Sequence, residues 1–206
     1  MRQPPVKLAV LISGGGRTLL NLHDHIVKGE LDAEIKMVIS SRADAAGVVR
    51  ARRAGLRTEV LDRKALGPER FQAALTAGVE GCDLVCMAGF LSLWTIPDPW
   101  LGRVINIHPA LLPEFGGRGM YGLRVHQAVL RAGRSESGCT VHFCDNEYDH
   151  GPIILQRRAP VLPGDTPETL AERVFAEECA AYPAAIRLFA ERKIRWQNGE
   201  VIVESA

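Results

Sequence analysis

Two polar side chains that could stabilise charge and move a proton lie two residues apart, at Asn106 and His108. An apolar run of strand-forming residues leads into them, so both side chains are expected on one face at a strand end. An amide donor beside an imidazole suits a reaction that develops an oxyanion and transfers a proton. Asp149, in a turn before Gly151 and Pro152, could fold back towards His108, favour the imidazolium and relay a proton through water.

The same residues also have structural interpretations. An Asn-x-His pair is more often structural than functional when it stands alone, and Asp149 before Gly-Pro is typical of a turn. His142, between Val141 and Phe143, is expected to be a satisfied strand histidine or to support the site without touching a substrate.

A second candidate site is the glycine turn at residues 13–16 (SGGG), between a strand and a helix. Such a turn presents backbone N–H groups to an anion. A dinucleotide is disfavoured because Leu19 stands at the third glycine position, and a P-loop because Arg17 replaces the lysine. One interpretation is a phosphate monoester bound with help from Arg17, Ser13 and Thr18. The other is a tight turn that needs glycine only for its backbone angles.

The elements that would position these residues alternate along the chain, which indicates right-handed crossovers and a parallel sheet covered on both faces. The expected strands are 7–12, 35–39, 58–61, 83–88 and 103–107, and the expected helices are 18–27, 43–54, 69–79 and 123–132.

Beyond residue 138 the pattern changes. Two strand-like segments, 140–144 and 153–161, lie too close for a helical crossover, so one antiparallel strand is expected. A long helix is predicted over 166–192, and Asn198-Gly199 predicts a terminal hairpin. We therefore predict an α/β fold: a doubly wound, mostly parallel sheet of about seven strands with one antiparallel strand, in a single domain over 1–206.

Composition narrows the function classes. The chain has 25 basic and 24 acidic residues and a net charge of +1, which argues against general binding to nucleic acid or to an anionic membrane. No apolar run approaches the ~18 residues of a membrane span. The five cysteines are odd in number, and Cys82 and Cys86 lie in an apolar strand-like run, so a reducing cytoplasm without a disulfide framework is expected. The absence of a C-x-x-C pair argues against a structural zinc site.

Six segments together resemble the glycinamide ribonucleotide formyltransferases, a folate-dependent family of purine synthesis. They are LAVLISGGG (8–16), VISSRADAAG (38–47), CMAGFLSL (86–93), INIHPALLP (105–113), SGCTVHF (137–143) and EYDHGPIILQ (147–156). Asn-x-His-Pro-x-Leu-Leu-Pro followed by Asp-x-Gly-Pro-Ile is far more specific than either motif alone. The resemblance implies the formyltransferase fold, with ribonucleotide phosphate bound by the N-terminal half and folate by the C-terminal half.

The resemblance also implies residue roles. Asn106, His108 and Asp149 would be the catalytic trio. The ribonucleotide would be held by Gly15, Gly16, Arg17, Thr18 and Glu178, the last at its ribose. The folate would be held by Leu91, Ser92, Leu93, Trp94, Asn106, Asp145, Asn146, Glu147 and Tyr148. The co-substrate would be 10-formyltetrahydrofolate, no metal would be required, and the protein would be a monomer or homodimer that binds small molecules only.

The chain departs from the family pattern at several positions. Arg17 and Thr18 replace a Ser-Asn pair, and Arg17 is expected to serve the phosphate instead. In the family, one arginine often meets the glutamate tail of the folate; this chain lacks it near Pro68, and Arg70 is a possible substitute. A second folate-site arginine of the family is replaced by Ser92. The glycine-rich loop at residues 115–122 is expected to be a mobile lid.

Three other functions remain open. A formyltetrahydrofolate deformylase would use a similar trio with water as acceptor, and usually carries an N-terminal regulatory domain. A methionyl-tRNA formyltransferase would add a basic C-terminal domain. A non-catalytic sensor of phosphosugars or folates would need the glycine turn without the full trio.

Overall fold

The computed structural model describes residues 4–197 and 200–203, in which strands and helices alternate as predicted. The strands are β1 Val6–Ile12, β2 Ala33–Ser40, β3 Thr58–Val60, β4 Leu84–Met87, β5 Val104–His108, β6 Glu136–Phe143, β7 Ile153–Pro160, β8 Ile194–Gln197 and β9 Glu200–Val203. The helices are α1 Arg17–Val27, α2 Ala46–Arg53, α3 Arg63–Leu66, α4 Pro68–Gly78, α5 Leu123–Arg131 and α6 Pro167–Ala190, with a 3-10 turn at Asp98–Trp100.

Seven strands form one sheet in the order β3-β2-β1-β4-β5-β6-β7. β1 pairs in parallel with β2 and β4, and β7 pairs antiparallel to β6. The predicted α/β fold with one antiparallel strand is therefore confirmed. β8 and β9 form a separate two-stranded sheet. The predicted Asn198-Gly199 turn lies outside the described residues.

Contacts divide the chain into two compact units, 1–105 and 106–206. In the first unit, Leu8–Ile12 in β1 are fully buried, which is why this strand is continuously apolar rather than alternating. The single-domain interpretation, with its phosphate half and folate half, stays a prediction.

In the second unit, α6 packs along β6 and β7, and α5 packs against α6. Thr166 caps the N-terminus of α6 in a capping box. Its side chain accepts a hydrogen bond from the Thr169 N–H, and the Thr169 hydroxyl accepts one from the Thr166 N–H. Phe143 at the end of β6 meets Trp196 of β8 edge-on, with ring centroids 5.8 Å apart.

Two elements were not predicted, and several boundaries differ from the prediction, among them the start of β6 at Glu136 rather than residue 140 and the start of α2. α3 has four residues and is capped by Asp62, whose carboxylate accepts the N–H groups of Lys64 and Ala65. Such a helix is too short to show a 3.6-residue pattern, and so is the Asp98–Trp100 turn. α2 begins three residues later than predicted because Ala45 is still extended. No helix in the described part of the chain is long and apolar enough to cross a membrane.

Candidate active site

A cluster of polar side chains forms in the second unit around Asp149. Asn106 and His108 project from the end of β5, and His142 from β6, where the pairing with β7 is irregular between Val141 and His142. Such an irregularity re-aims the side chains next to it. Asp149 itself has φ 53°, in the left-handed region that aspartate tolerates better than most residues. The strand ends and the β6–β7 connection thus bring the predicted trio together.

Four groups lie around the Asp149 carboxylate, including His142, whose Nε2 is 3.8 Å from Oδ1. Its Oδ2 lies 3.4 Å from His108 Nδ1 and accepts the Gly117 N–H at 3.0 Å. Its Oδ1 accepts from Asn106 Nδ2 at 3.3 Å. Burial tends to raise the pKa of Asp149, but the contact with His142, the charge of His108 and the Gly117 N–H together outweigh it, and the pKa is lowered. The carboxylate is therefore ionised at neutral pH.

His142 fixes the orientation of the Asn106 amide. Its Nδ1 lies 2.8 Å from the Phe143 carbonyl oxygen, which can only accept, so Nδ1 carries the proton. In the neutral ring Nε2 is then an acceptor, and it receives Asn106 Nδ2–H at 3.1 Å. The amide NH₂ of Asn106 is thereby directed to His142 and Asp149. The sequence analysis assigned His142 no more than a supporting role, and no sequence signal distinguished it from a core strand histidine.

His108 is held from two sides. Its Nε2 lies 2.8 Å from the Phe115 carbonyl oxygen and donates to it, while Nδ1 faces Asp149. Both contacts can be hydrogen bonds only when the ring carries two protons. The side chain is 4% exposed, so water gives it little help.

Burial decides the charge of His108. It lowers the pKa of His108, and the opposing effects of Asp149 and the Phe115 carbonyl do not overcome it. Asp149 favours the imidazolium in the direction of its effect on the pKa of His108, but burial outweighs this effect. The ring is neutral at neutral pH and is poised to accept a proton on the nitrogen facing Asp149.

In the first unit, the glycine turn begins α1. Gly16 caps α1 with φ 72°, and no side chain caps the first turn. A Cβ on Gly16 would lie 2.9 Å from the Gly47 Cα of α2, so glycine is needed for close approach as well as for its backbone angle. Arg17 is exposed and Thr18 half-buried at the first two positions of the helix. Their phosphate roles stay predictions.

The hydroxyl of Ser13 was expected to help bind the phosphate, and the structure corrects this. Ser13 is 3% exposed, and its Oγ accepts the Leu91 N–H at 2.9 Å and pairs with Ser41 Oγ at 2.6 Å. These bonds join the end of β1 to the segment after β4 and to the end of β2.

A cavity of about 640 Å³ lies beside these bonds. Leu91 and Ser92, two of the predicted folate residues, line it. The remaining lining residues are Ser13, Ser41, Arg42, Ala43, Asp44, Asp62, Arg63 and Lys64. Arg70, the suggested substitute for a tail arginine, is not among them.

Two other predicted folate residues, Trp94 and Leu93, make hydrogen bonds within the protein. Trp94 is 1% exposed, donates to Thr76 Oγ1 at 3.2 Å and packs against Trp100. Its side chain belongs to the core, and the expectation that it lines the folate pocket is wrong for the side chain. Leu93 is half-buried, and its carbonyl accepts from Gln72 Nε2 at 3.0 Å.

The loop after β6 is organised by Asp145. Its carboxylate accepts the Glu147 N–H at 2.8 Å and contacts His150 Nδ1 at 2.7 Å, which raises the pKa of His150. Asn146, Glu147 and Tyr148 are exposed along this loop. Their predicted contacts with folate stay predictions.

Glu178 lies half-buried on α6, near Cys139 of β6. Burial, followed by the charge of Glu178, raises the pKa of Cys139 to about 12. The predicted contact between Glu178 and a ribose stays a prediction. Among residues 4–197 and 200–203, no group of three or more His, Cys, Asp or Glu side chains could hold a metal ion.

Comparison with known proteins identifies the family. The formyl transferase family model matches residues 6–186. The phosphoribosylglycinamide formyltransferase of Haemophilus influenzae is 36% identical over 197 residues, covering 93% of this chain and 91% of that protein. The chain belongs to the formyl transferase family. It is an enzyme of the transferase class, and its resemblance to the phosphoribosylglycinamide formyltransferases is confirmed.

Two further comparisons give the extent of the match. The crystal structure of glycinamide ribonucleotide transformylase 1 from Symbiobacterium toebii superposes with a TM-score of 0.89 at 41% identity, covering 99% of this transferase and 96% of that chain. The trifunctional purine biosynthetic protein adenosine-3 of Gallus gallus is 43% identical over 195 residues. This chain spans only 19% of that protein's length.

Proposed function

We propose that the protein transfers a formyl group from 10-formyltetrahydrofolate to the amine of glycinamide ribonucleotide, in purine biosynthesis. The cluster of Asn106, His108, His142 and Asp149 carries this proposal, because it combines an oriented amide donor, a neutral buried imidazole and an ionised carboxylate. Family membership supports the formyl chemistry, and the names of the relatives support the acceptor.

The reaction is a direct transfer. The neutral amine nitrogen attacks the formyl carbon, and the carbonyl oxygen becomes an oxyanion. The bond between that carbon and folate N10 then breaks, and the proton lost by the amine goes to N10. The products are the N-formylated ribonucleotide and tetrahydrofolate.

Asn106 is the proposed oxyanion donor. One of its N–H groups is held by His142, and the other makes the longer 3.3 Å contact with Asp149 Oδ1. The longer bond is the weaker one, so an oxyanion can replace Asp149 as its acceptor. His142 keeps the amide from rotating, so that a donor rather than the Asn106 oxygen faces the developing charge.

His108 and Asp149 are the proposed proton carriers. A proton arriving on His108 Nδ1 completes a charge-assisted bond to Asp149 while Nε2–H remains on the Phe115 carbonyl. Burial then favours release of this proton to the leaving nitrogen, through water. The imidazolium forms during the reaction and need not exist before it.

For the ribonucleotide, we propose that its phosphate binds the uncapped N-terminus of α1 with Arg17 and Thr18. The helix dipole and the backbone N–H groups at such a terminus favour an anion, and no side chain caps this one. Glu178 is proposed to contact the ribose.

For the folate, we propose that its anionic tail enters the cavity lined by Leu91 and Ser92. Arg42 is paired with Asp44 through two bonds, at 2.9 and 2.7 Å, and Asp62 caps α3. Arg63 and Lys64 therefore supply the positive charge of the cavity. They would take the place of the arginines that the sequence lacks at Pro68 and Ser92.

A turnover assay tests the proposed function. Protein would be mixed with 10-formyltetrahydrofolate with and without glycinamide ribonucleotide, and deformylation of the folate followed optically. Release that requires the ribonucleotide is expected. Equal release without it would show a deformylase, and folate binding without release would show a sensor.

A further inference from the structure

Arg50 of α2 reaches back to the glycine turn. Its Nη1 donates to the Gly15 carbonyl oxygen at 2.7 Å, across 35 residues of sequence. The Gly47 N–H, one turn earlier on α2, donates to the Gly14 carbonyl at 3.0 Å. Two successive carbonyl groups of the turn are thus bound by one helix.

Binding of these carbonyls fixes where the N–H groups of the turn point. In a trans peptide the C=O and the following N–H point in opposite directions. With the Gly15 carbonyl held towards Arg50, the Gly16 N–H points away from α2. The Gly16 N–H has no acceptor in the described part of the chain, so it is available to a ligand.

The guanidinium of Arg50 also brings charge that no carboxylate neutralises. Arg50 makes no ion pair with any residue that the structure describes, and the Gly15 bond uses one of its five N–H donors. Arg42, in contrast, is fully paired with Asp44. The turn therefore combines a directed, unpaired N–H group with an uncompensated cation beside it.

We propose that Arg50 is the positioning residue of the phosphate site: it holds the Gly15–Gly16 peptide with its N–H towards the ribonucleotide phosphate and adds positive charge beside it. This inference rests on the proposed function. It assigns Arg50, rather than Arg17 alone, to the selection of a phosphate-bearing substrate.

The test compares glycinamide ribonucleotide with its dephosphorylated riboside, by calorimetric binding and by turnover. Arg50→Ala should weaken binding of the ribonucleotide and raise its KM about tenfold, the size of one charge-assisted hydrogen bond at an exposed site. Its kcat at saturation should stay near wild type, and the riboside should bind Arg50→Ala and wild type alike.

Two conservative variants separate charge from positioning. Arg50→Gln can still donate to the Gly15 carbonyl without charge, and Arg50→Lys keeps the charge on a shorter side chain; each should lose less than Arg50→Ala. Arg53→Ala is the matched control, because Arg53 is an exposed arginine of the same helix that makes no contact with the turn in the described part of the chain. It should bind the ribonucleotide as wild type does.

The outcomes are distinct. Wild-type ribonucleotide affinity in Arg50→Ala, or an equal loss for ribonucleotide and riboside, would overturn the inference. Should wild type bind the ribonucleotide but never transfer a formyl group, the proposed function would fail while the binding comparison still decides the role of Arg50.

Discussion

At the scale of single residues, substitution of His108 is expected to have a large effect on catalysis. Replacing it with alanine removes the group proposed to hold the proton in the transition state. His108→Ala should lower kcat by about 10²- to 10⁴-fold and change KM little. Steady-state kinetics for both substrates would measure this, with His150→Ala as control because His150 is an exposed imidazole bound to Asp145. Near-wild-type kcat would remove His108 from the mechanism.

Asp149 should govern the titration of His108. Burial lowers the pKa of His108 below 6.5, and Asp149 partly opposes this effect. A neutral base is active above its pKa, so kcat/KM should fall only as pH drops through a value below 6.5. Asp149→Asn removes the opposing charge, so it should lower the pKa of His108 further and reduce kcat. NMR titration of the His108 ring would measure its pKa in wild type and in Asp149→Asn. A higher pKa of His108 in the variant would contradict the proposed effect of Asp149.

The sequence predicted that Asn106, His108 and Asp149 lie together, and the structure brings them together. A polar pair at a strand end and a distant Asp-x-Gly-Pro form one specific combination, while the catalytic roles of the three residues stay predictions. The hydroxyl of Ser13 was expected at a ligand because of its residue type, and Trp94 because of the family resemblance. Only their partners, Leu91 N–H for Ser13 and Thr76 for Trp94, reveal that they are structural.

At the scale of elements, Gly47 of α2 packs closely against the glycine turn that precedes α1, so we expect its substitution to destabilise the fold. A Cβ there would lie 2.8 Å from the Gly14 carbonyl oxygen and 2.8 Å from Ile12 Cδ1. Gly47→Ala should therefore destabilise the fold by about 1–3 kcal/mol, as overpacking does, and displace the glycine turn. Denaturant unfolding and ribonucleotide binding would measure the two effects.

Gly14→Ala is the matched control for stability. A Cβ at Gly14 meets nothing within 4 Å, so this variant should unfold at the wild-type denaturant concentration. Equal stability of Gly47→Ala and wild type would show that the two helices can move apart at no cost.

Most elements were predictable because their apolar periods are long and their turns carry glycine or proline. The exceptions have local causes. α3 exists through the Asp62 cap rather than through an apolar face, and α2 begins later than predicted because Ala45 is extended. The orientation of the Asn106 amide was beyond prediction, since it depends on a carbonyl at Phe143 and on the proton position of His142.

At the scale of the whole molecule, one buried histidine should shape the acid limit of stability. Burial, followed by the charge of His108, lowers the pKa of His126 from 6.5 to about 4. The unfolded chain then takes up this proton first as pH falls. The contribution of His126 to the unfolding free energy is complete above pH 6.5 and should decline towards pH 4, by up to about 1.4 kcal/mol per pH unit.

His126→Leu should flatten the dependence of the unfolding free energy on pH between 6.5 and 4. The Nδ1 atom of His126 has no hydrogen-bond partner among the described residues, so an apolar replacement breaks no bond there. His150→Ala should keep the wild-type slope in this range, because the pKa of His150 is raised rather than lowered. Identical slopes in wild type and His126→Leu would refute the assignment.

The two edge strands of the sheet, β3 and β7, are poorly suited to pair with a strand of another molecule at high protein concentration. β3 has only three residues, which is too short to recruit another strand. β7 is longer, but it carries Arg157 and Arg158, which pair with Glu177 and Glu136, and it ends at Pro160. A neighbouring chain adding to β7 would meet fixed charges and a residue that lacks an N–H donor. Aggregation through the sheet edges is therefore disfavoured, at β3 because the strand is short and at β7 because it carries charged side chains.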